Sequence, residues 1–176
     1  MAELREFLKY YQAYKQKIFN YLLYRLSFDR DTAEDLTSEI FLKAYEHFDS
    51  YDDKKPFQAW IYTIAHNHFI TYLRQRKQTS PIEEAEHKTI PHTFVDSIDA
   101  QLTMQKVMKQ MQKLPELEQT ILDLRMREGL SHAEIAQIVD KKEVTVRVML
   151  SRALGTLREN LTGLAILFIF FYGISN

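Results

Sequence analysis

Apolar residues recur every three or four positions along most of this chain, and this spacing is typical of amphipathic α-helices. Such stripes cover residues 4–28, 33–48, 57–77, 117–124 and 146–161. No segment alternates apolar and polar residues for long enough to predict a β-strand. The pattern therefore predicts an all-α protein.

Local signals predict the boundaries of the later helices. Pro115 is expected at the first position of a helix, and Gly129 is a natural helix terminator. Ser131 and Glu134 have the spacing of a capping box, in which each residue bonds the backbone of the other. A short helix should follow, then a turn at residues 140–142 and a final helix.

A break in the helical pattern separates two parts of the chain. Residues 79–97 contain Pro81 and Pro91 and lack helical spacing, which predicts a flexible linker. A length of 176 residues leaves room for one ordinary domain or two small ones. We expect two small helical domains at residues 1–78 and 99–160, a linker at 79–98 and an apolar tail at 161–176.

Composition excludes several kinds of site. The chain has no cysteine, which removes disulfides, thiolate metal sites and cysteine nucleophiles. None of its four glycines lies in the first 128 residues, so a glycine-rich phosphate loop has no place there. The net charge of −1 favours no class of partner. However, an acidic stretch at residues 29–53 directly precedes a basic one at 54–82, and this segregation could serve two partners.

The third helix carries a second stripe beside its apolar face, formed by Trp60, Thr63, Asn67, Thr71 and Arg74. It is aromatic at its start, polar in the middle and cationic at its end. Rings that stack on bases, amides that read base edges and cations that hold the backbone are typical of a single-strand reader. The alternative is that Trp60 is an ordinary core residue.

The two helices near the C-terminus have the form of a helix-turn-helix, whose second helix lies in the DNA major groove. Four residues of that helix would pack inward: Val146, Leu150, Ala153 and Leu157. Those left to meet DNA would be Thr145, Arg147, Val148, Met149, Ser151 and Arg152. The arginines could reach phosphates or a guanine edge, and the apolar side chains could contact thymine methyl groups. A helical hairpin with solvated cations is the alternative.

We find no catalytic constellation in the sequence. His66 and His68 lie two residues apart, so on a helix they point in different directions and cannot share a metal ion well. We interpret both as surface histidines and expect no metal, no cofactor and no enzymatic activity. A metal-dependent nuclease that uses these histidines is the alternative from the enzyme class.

Six segments together resemble the extracytoplasmic-function (ECF) sigma factors, group 4 of the sigma-70 family. Three are similar to region 2 of that family: AEDLTSEIFLKAY (33–45), FQAWIYTIAHN (57–67) and YLRQRK (72–77). Three are similar to region 4: LPELEQ (114–119), GLSHAEIAQI (129–138) and VTVRVMLSRA (144–153). Their order, spacing and intervening linker fit the family over about residues 5 to 160.

The resemblance implies a bacterial transcription initiation factor that binds core RNA polymerase and directs it to promoter DNA. Region 2 would dock on the polymerase clamp helices through Asp35, Glu39, Phe41 and Glu46. It would open the −10 element and capture a flipped base with Lys55, Phe57, Trp60, Thr63, His66, Asn67, Thr71, Arg74, Arg76 and Lys77. Region 4 would read the −35 element with Lys141, Lys142, Thr145, Arg147, Val148, Met149, Ser151 and Arg152. An anti-sigma partner and a cytoplasmic location are also implied.

The chain departs from the family pattern in the region 4 turn and in the tail. Asp140 stands where a glycine is usual, and aspartate tolerates the left-handed backbone that glycine supplies. From Leu161 the apolar tail would form about 21 Å of helix, too short for a hydrocarbon core of about 30 Å. Residues 162–174 could pack on region 4, contact a membrane surface or membrane-bound partner, or form a poorly packed extension.

A second function stays open at this point. The chain could be a self-sufficient helix-turn-helix regulator whose N-terminal half only dimerises. It would then bind its operator without polymerase and would not need the stripe from Trp60 to Arg74.

Overall fold

The computed structural model describes residues 2–79 and 106–161, and the regular structure in these ranges is helical. The first range contains α1 (Ala2–Arg25), α2 (Arg30–Glu46), a 3-10 turn (Phe48–Ser50) and α3 (Phe57–Thr79). The second contains α4, described over residues 106–111, then α5 (Glu116–Met126), α6 (His132–Ile138) and α7 (Glu143–Asn160). The prediction of an all-α protein is confirmed.

The chain divides into two compact units, Met1–Thr89 and Ile90–Asn176. Helices α1 to α3 belong to the first unit, and α4 to α7 belong to the second. The predicted linker beyond residue 79 and the apolar tail from residue 162 lie outside the described residues. Within the described ranges, no helix is both long and apolar enough to cross a bilayer.

The core of the first unit lies where the three helices meet, and α2 shows how the sequence pattern produces it. Ala33, Leu36, Ile40 and Ala44 form one buried stripe, which Phe48 continues into the 3-10 turn. This is the stripe that the spacing predicts. The inner face of α3 is also confirmed, because Phe57, Ile61, Ala65 and Phe69 are all buried.

Aromatic rings close one end of this core. Phe7 on α1 lies with its ring centroid 5.1 Å from that of Tyr45 and 5.2 Å from that of Phe48. Tyr10 stacks on Phe57 with centroids 4.0 Å apart and the planes inclined by 9°. Aromatic pairs of this kind stabilise a core beyond the area they bury. They fix the start of α3 against α1.

The connection between α1 and α2 contains no glycine, yet it turns through left-handed backbone. Ser27 has a φ of 54° and Phe28 a φ of 65°. A bulky residue in this conformation is strained. The Phe28 ring is buried and lies 5.4 Å from Tyr24, and its amide donates to the carbonyl of Leu23 at 2.9 Å. Burial and hydrogen bonding thus offset the strain.

The second unit is built around a helix-turn-helix whose caps follow the sequence signals. The Ser131 side chain accepts from the backbone of Glu134, and the Glu134 carboxylate accepts from the Ser131 backbone, which confirms the capping box. Gly129, the predicted helix terminator, has a φ of 68°. Asp140 has a φ of 51°, so it adopts the left-handed backbone that the sequence predicts it tolerates. Pro115 is the N-cap of α5 and lies one residue before its expected position.

Candidate nucleic-acid and protein interfaces

Helix α7 separates an apolar inner face from a polar outer face. Val146, Leu150, Ala153 and Leu157 are buried, and α7 packs on α5 and α6 through them. On the other side, Lys141, Lys142, Arg147, Val148, Ser151 and Arg152 are exposed, and Thr145 and Met149 are half-buried. The residues that the sequence assigns to DNA therefore share the outward side of one helix and its preceding turn.

Both candidate arginines of α7 already lie near a carboxylate. Arg147 donates to Glu143 one turn earlier at 2.5 Å. Arg152 lies 3.7 Å from the carboxylate of Glu118, a buried residue of α5. The Arg147–Glu143 pair is exposed and contributes little free energy, so a phosphate or a base edge can compete for that guanidinium. The Arg152 guanidinium is itself 67% exposed, although the carboxylate beside it is buried.

The second stripe of α3 is accessible mainly in its polar and cationic part. Asn67, Thr71 and Arg74 are exposed, as are Lys55, Arg76 and Lys77. Thr63 is half-buried, and its hydroxyl donates to the carbonyl of Ala59 at 2.8 Å. The hydroxyl of Thr71 donates in the same way to Asn67 at 2.9 Å. Asn67 is thus the exposed amide at the centre of this stripe.

The sequence leaves open whether Trp60 is an accessible ring that stacks on bases or a core residue, and the ring has features of both. Its ring is half-buried, with centroids 5.1 Å from Tyr51, 5.3 Å from Phe57 and 6.3 Å from Phe48. These neighbours hold the indole at the edge of the aromatic core. Trp60 is therefore a fixed ring at the head of the stripe and also part of the core packing.

The loop before α3 is held in shape by its own hydrogen bonds. The Tyr51 hydroxyl donates to the carbonyl of Lys55 at 2.6 Å, and the amide of Lys54 donates to the Asp52 carboxylate at 3.1 Å. Burial, together with a hydrogen bond to Tyr10, raises the pKa of Tyr51 to about 12, so its hydroxyl keeps its proton. An aspartate whose carboxylate accepts from an amide two residues later, as Asp52 does here, is a recognised turn signal.

Three of the residues that the sequence assigns to contact with DNA or polymerase are buried in the interior. Phe57 is 4% exposed because it stacks on Tyr10, and Phe41 is 4% exposed because its edge packs on Phe7 and Tyr11. His66 is 8% exposed on the inner edge of α3. None of the three can contact DNA or polymerase in this conformation.

The acidic face of α2 is exposed as the spacing predicts, since Asp35, Glu39 and Glu46 all face solvent. Leu42 and Tyr45 lie among the same turns with exposed fractions of 59% and 46%. Both fall outside the buried stripe, and neither is among the residues predicted to dock on polymerase. Acidic residues around exposed apolar side chains are suited to a basic, partly apolar protein surface.

The interpretation of both histidines as surface residues is wrong. His66 is buried, and the His68 ring packs between α2 and α3 with 10% of its side chain exposed. In the part of the chain that the structure describes, no group of three or more histidine or acidic residues could hold a metal ion.

Comparison with known proteins gives matches in both units. The family Sigma-70 region 2 matches residues 10–79, and Sigma-70, region 4 matches residues 104–157. RNA polymerase sigma factor YlaC of Bacillus subtilis is 31% identical over 156 residues, covering 86% of this chain and 90% of the relative. ECF RNA polymerase sigma factor SigM of the same organism is 31% identical over 144 residues, covering 81% and 87%.

A solved structure has the same fold. It is the sigma factor RpoE in complex with the anti-sigma factor NepR from Bartonella quintana, with a TM-score of 0.75. It is 23% identical to this chain and covers 88% of it, with 96% of the RpoE chain matched.

The buried His66 predicts a pH dependence of stability. Burial and, to a lesser extent, the nearby Arg25 guanidinium together lower its pKa from 6.5 to about 4. Between these values the unfolded chain binds a proton that the folded chain does not, so the free energy of unfolding falls as the pH falls. We expect His66→Gln to remove about 2 kcal/mol of the loss between about pH 7 and about pH 5.

Urea unfolding followed by the fluorescence of Trp60, the one tryptophan of the chain, measures this difference. The control is His47→Gln, which changes an exposed histidine of the same unit and should leave the pH dependence intact. An unchanged pH dependence in His66→Gln would contradict the assignment.

Proposed function

Because this chain belongs to the extracytoplasmic-function family of RNA polymerase sigma factors, we propose that it binds core RNA polymerase and directs it to specific promoters. The observation that carries this function is the presence of both sigma regions in order along one chain, each with its candidate DNA-binding residues on an outward helix face. A self-sufficient helix-turn-helix regulator needs only the second of these.

We propose that the first unit opens the −10 element. Base edges are inaccessible in a stacked duplex, and unstacking costs a few kcal/mol per step. A surface that binds only the separated strand lowers the free energy of the open state. The exposed stripe on α3 offers a ring edge at Trp60, an amide at Asn67 and cations at Arg74, Arg76 and Lys77. Asn67 is the proposed reader of a base edge, and Lys55 in the loop before α3 is proposed to contact DNA at the other end of the stripe.

Region 4 is proposed to read the −35 element as duplex through the outward side of α7. Lys141, Lys142 and Thr145 would approach phosphates where the helix begins, and Arg147, Ser151 and Arg152 would follow along the groove. Val148 is 52% exposed, and an apolar side chain at such a position favours contact with a thymine methyl group. Met149 is half-buried beside it.

Polymerase docking is assigned to the exposed acidic face of α2. Asp35, Glu39 and Glu46 supply the charge, and the exposed Leu42 adds apolar area at the centre. Polymerase also supplies the catalytic metal and most of the electrostatic attraction to DNA. A sigma factor with a net charge of −1 is therefore consistent with promoter binding, and it needs no catalytic group of its own.

We also propose the domain boundaries, the cellular location and an anti-sigma partner. The domains span residues 1–78 and 99–160, and the linker at 79–98 lets each reach its own promoter element. The protein acts in the cytoplasm, where its polymerase and promoters are. An anti-sigma partner would block initiation by covering the acidic face of α2 or by separating the two regions. The solved complex of RpoE with NepR is consistent with this for a protein of the same fold.

Run-off transcription tests the function directly. Adding this protein to purified core polymerase on fragments of its own genome should produce discrete transcripts that core polymerase alone does not make. The free protein should bind the same promoters only weakly at physiological salt. An unchanged transcript pattern, together with tight binding of the free protein to duplex DNA, would favour the self-sufficient regulator.

Asn67→Ala should reduce promoter opening without weakening polymerase binding. Loss of one base-edge contact costs about 1–3 kcal/mol, so open complexes should fall by roughly fivefold or more. Permanganate reactivity of −10 thymines measures the opening, and the affinity for core polymerase is measured in parallel. The control is Gln12→Ala, which removes an exposed amide from α1. Equal loss of polymerase binding in Asn67→Ala would contradict this role.

Arg147→Ala combined with Arg152→Ala should impair promoter choice and leave the opening step intact. The ratio of transcription from the natural promoter to that from one with a scrambled −35 element should fall roughly tenfold or more, since each base-edge contact contributes about 1–3 kcal/mol of discrimination. Arg158→Ala is the matched control, because it removes an exposed cation from the far end of the same helix. The assignment would be wrong if the double variant kept the full ratio.

A further inference from the structure

His68 on α3 connects two opposite charges of α2. Its Nε2 atom lies 2.6 Å from Oε2 of Glu39, and its Nδ1 atom lies 2.8 Å from Nζ of Lys43. Glu39 and Lys43 are four residues apart and therefore share one face of α2. The ring is largely enclosed between the two helices, with 10% of the side chain exposed.

The partners of the ring determine which nitrogen carries the proton. An ammonium group can only donate, so Nδ1 must accept from Lys43. Nε2 then carries the hydrogen and donates it to the Glu39 carboxylate. Only a neutral ring in the Nε2–H tautomer makes both bonds, because a doubly protonated ring would point an N–H group at the Lys43 ammonium.

This connection lies in the groove between α2 and α3 that holds the acidic docking residues. Asp35, Leu42 and Glu46 line the α2 side of the groove, and Thr71 and Tyr72 line the α3 side. Glu39 keeps 57% of its side chain exposed, so a protein partner can still reach it. The bond to His68 therefore restrains Glu39 without hiding it.

We propose that His68 is a positioning residue for polymerase docking, which it serves by holding Glu39 and Lys43 in one arrangement before polymerase arrives. This inference rests on the proposed function. A carboxylate already ordered in the free protein loses less side-chain entropy on binding than a mobile one. The same bond joins α2 to α3. The residue just before His68 on α3 is Asn67, the proposed base reader.

If His68 only stabilised the fold, its replacement would lower the free energy of unfolding and would not act on polymerase binding through Glu39. A single hydrogen bond from a neutral ring to an exposed carboxylate adds little to stability, so loss of the bond should affect polymerase binding more than folding. We expect His68→Leu to weaken the affinity of the full chain for core polymerase about two- to tenfold, the effect of ordering one long side chain. His68→Gln keeps one donor and one acceptor and should restore most of the affinity.

The experiment is a double-variant cycle with Glu39→Ala, which removes the acceptor of the bond. Affinities for core polymerase are measured for the wild-type chain, each single variant and the pair, with urea unfolding followed by Trp60 fluorescence for each. If His68 acts through Glu39, His68→Leu should cause no further loss in the Glu39→Ala background. His47→Gln serves as a control for the loss of an exposed histidine in the same unit.

Additive losses in the cycle, or wild-type affinity in His68→Leu, would overturn the positioning role while leaving the proposed function intact. Failure of the wild-type chain to bind core polymerase would overturn the function itself. An independent check is the ¹⁵N spectrum of labelled histidine, with His68→Gln used for assignment. The spectrum should show the Nε2–H tautomer for His68, and an Nδ1–H tautomer would overturn the proposal.

Discussion

Burial of the inner face of α3 is the constraint on which the first unit depends. Ile61, Ala65 and Phe69 are at most 1% exposed, and they fix the rotation of the helix about its axis. Once that rotation is fixed, Asn67 and Arg74 must point outward and His68 must point toward α2. The stripe proposed to bind DNA and the contact with the proposed docking helix are thus two consequences of a single packed face, since neighbouring positions on a helix lie about 100° apart.

Most of the fold was predictable because the helices and their buried faces depend on the spacing of residues that are close in sequence. The stripe of α2, the inner face of α7 and the capping box at Ser131 each depend on residues only three or four positions apart. The residues of the candidate DNA-binding stripe were less predictable where they border the buried face of α3. Phe57 and His66 lie next to the exposed stripe in helical projection, and spacing alone does not locate the border between buried and exposed positions. That border depends on where α1 and its Tyr10 ring lie.

The contacts of His68 show the same limit more clearly. Its partners Glu39 and Lys43 precede it by 29 and 25 residues, so no local pattern brings the three together. They meet only because α2 and α3 pack with particular faces opposed. The left-handed residue at the region 4 turn was accessible from the sequence, by contrast, because the conformational tolerance of Asp140 is a property of that residue itself.

The turn at Ser27 and Phe28 illustrates what a segment of 128 residues without glycine implies for folding. In the part of this segment that the structure describes, each abrupt change of direction is made by residues that carry side chains. Such residues sample fewer backbone states than glycine when the chain is unfolded, so less entropy is lost when the turn forms. Introducing glycine at either position would relax the local strain and at the same time widen the denatured ensemble. The two effects oppose each other, so the free energy of forming this turn depends partly on the unfolded chain and not on the native contacts alone.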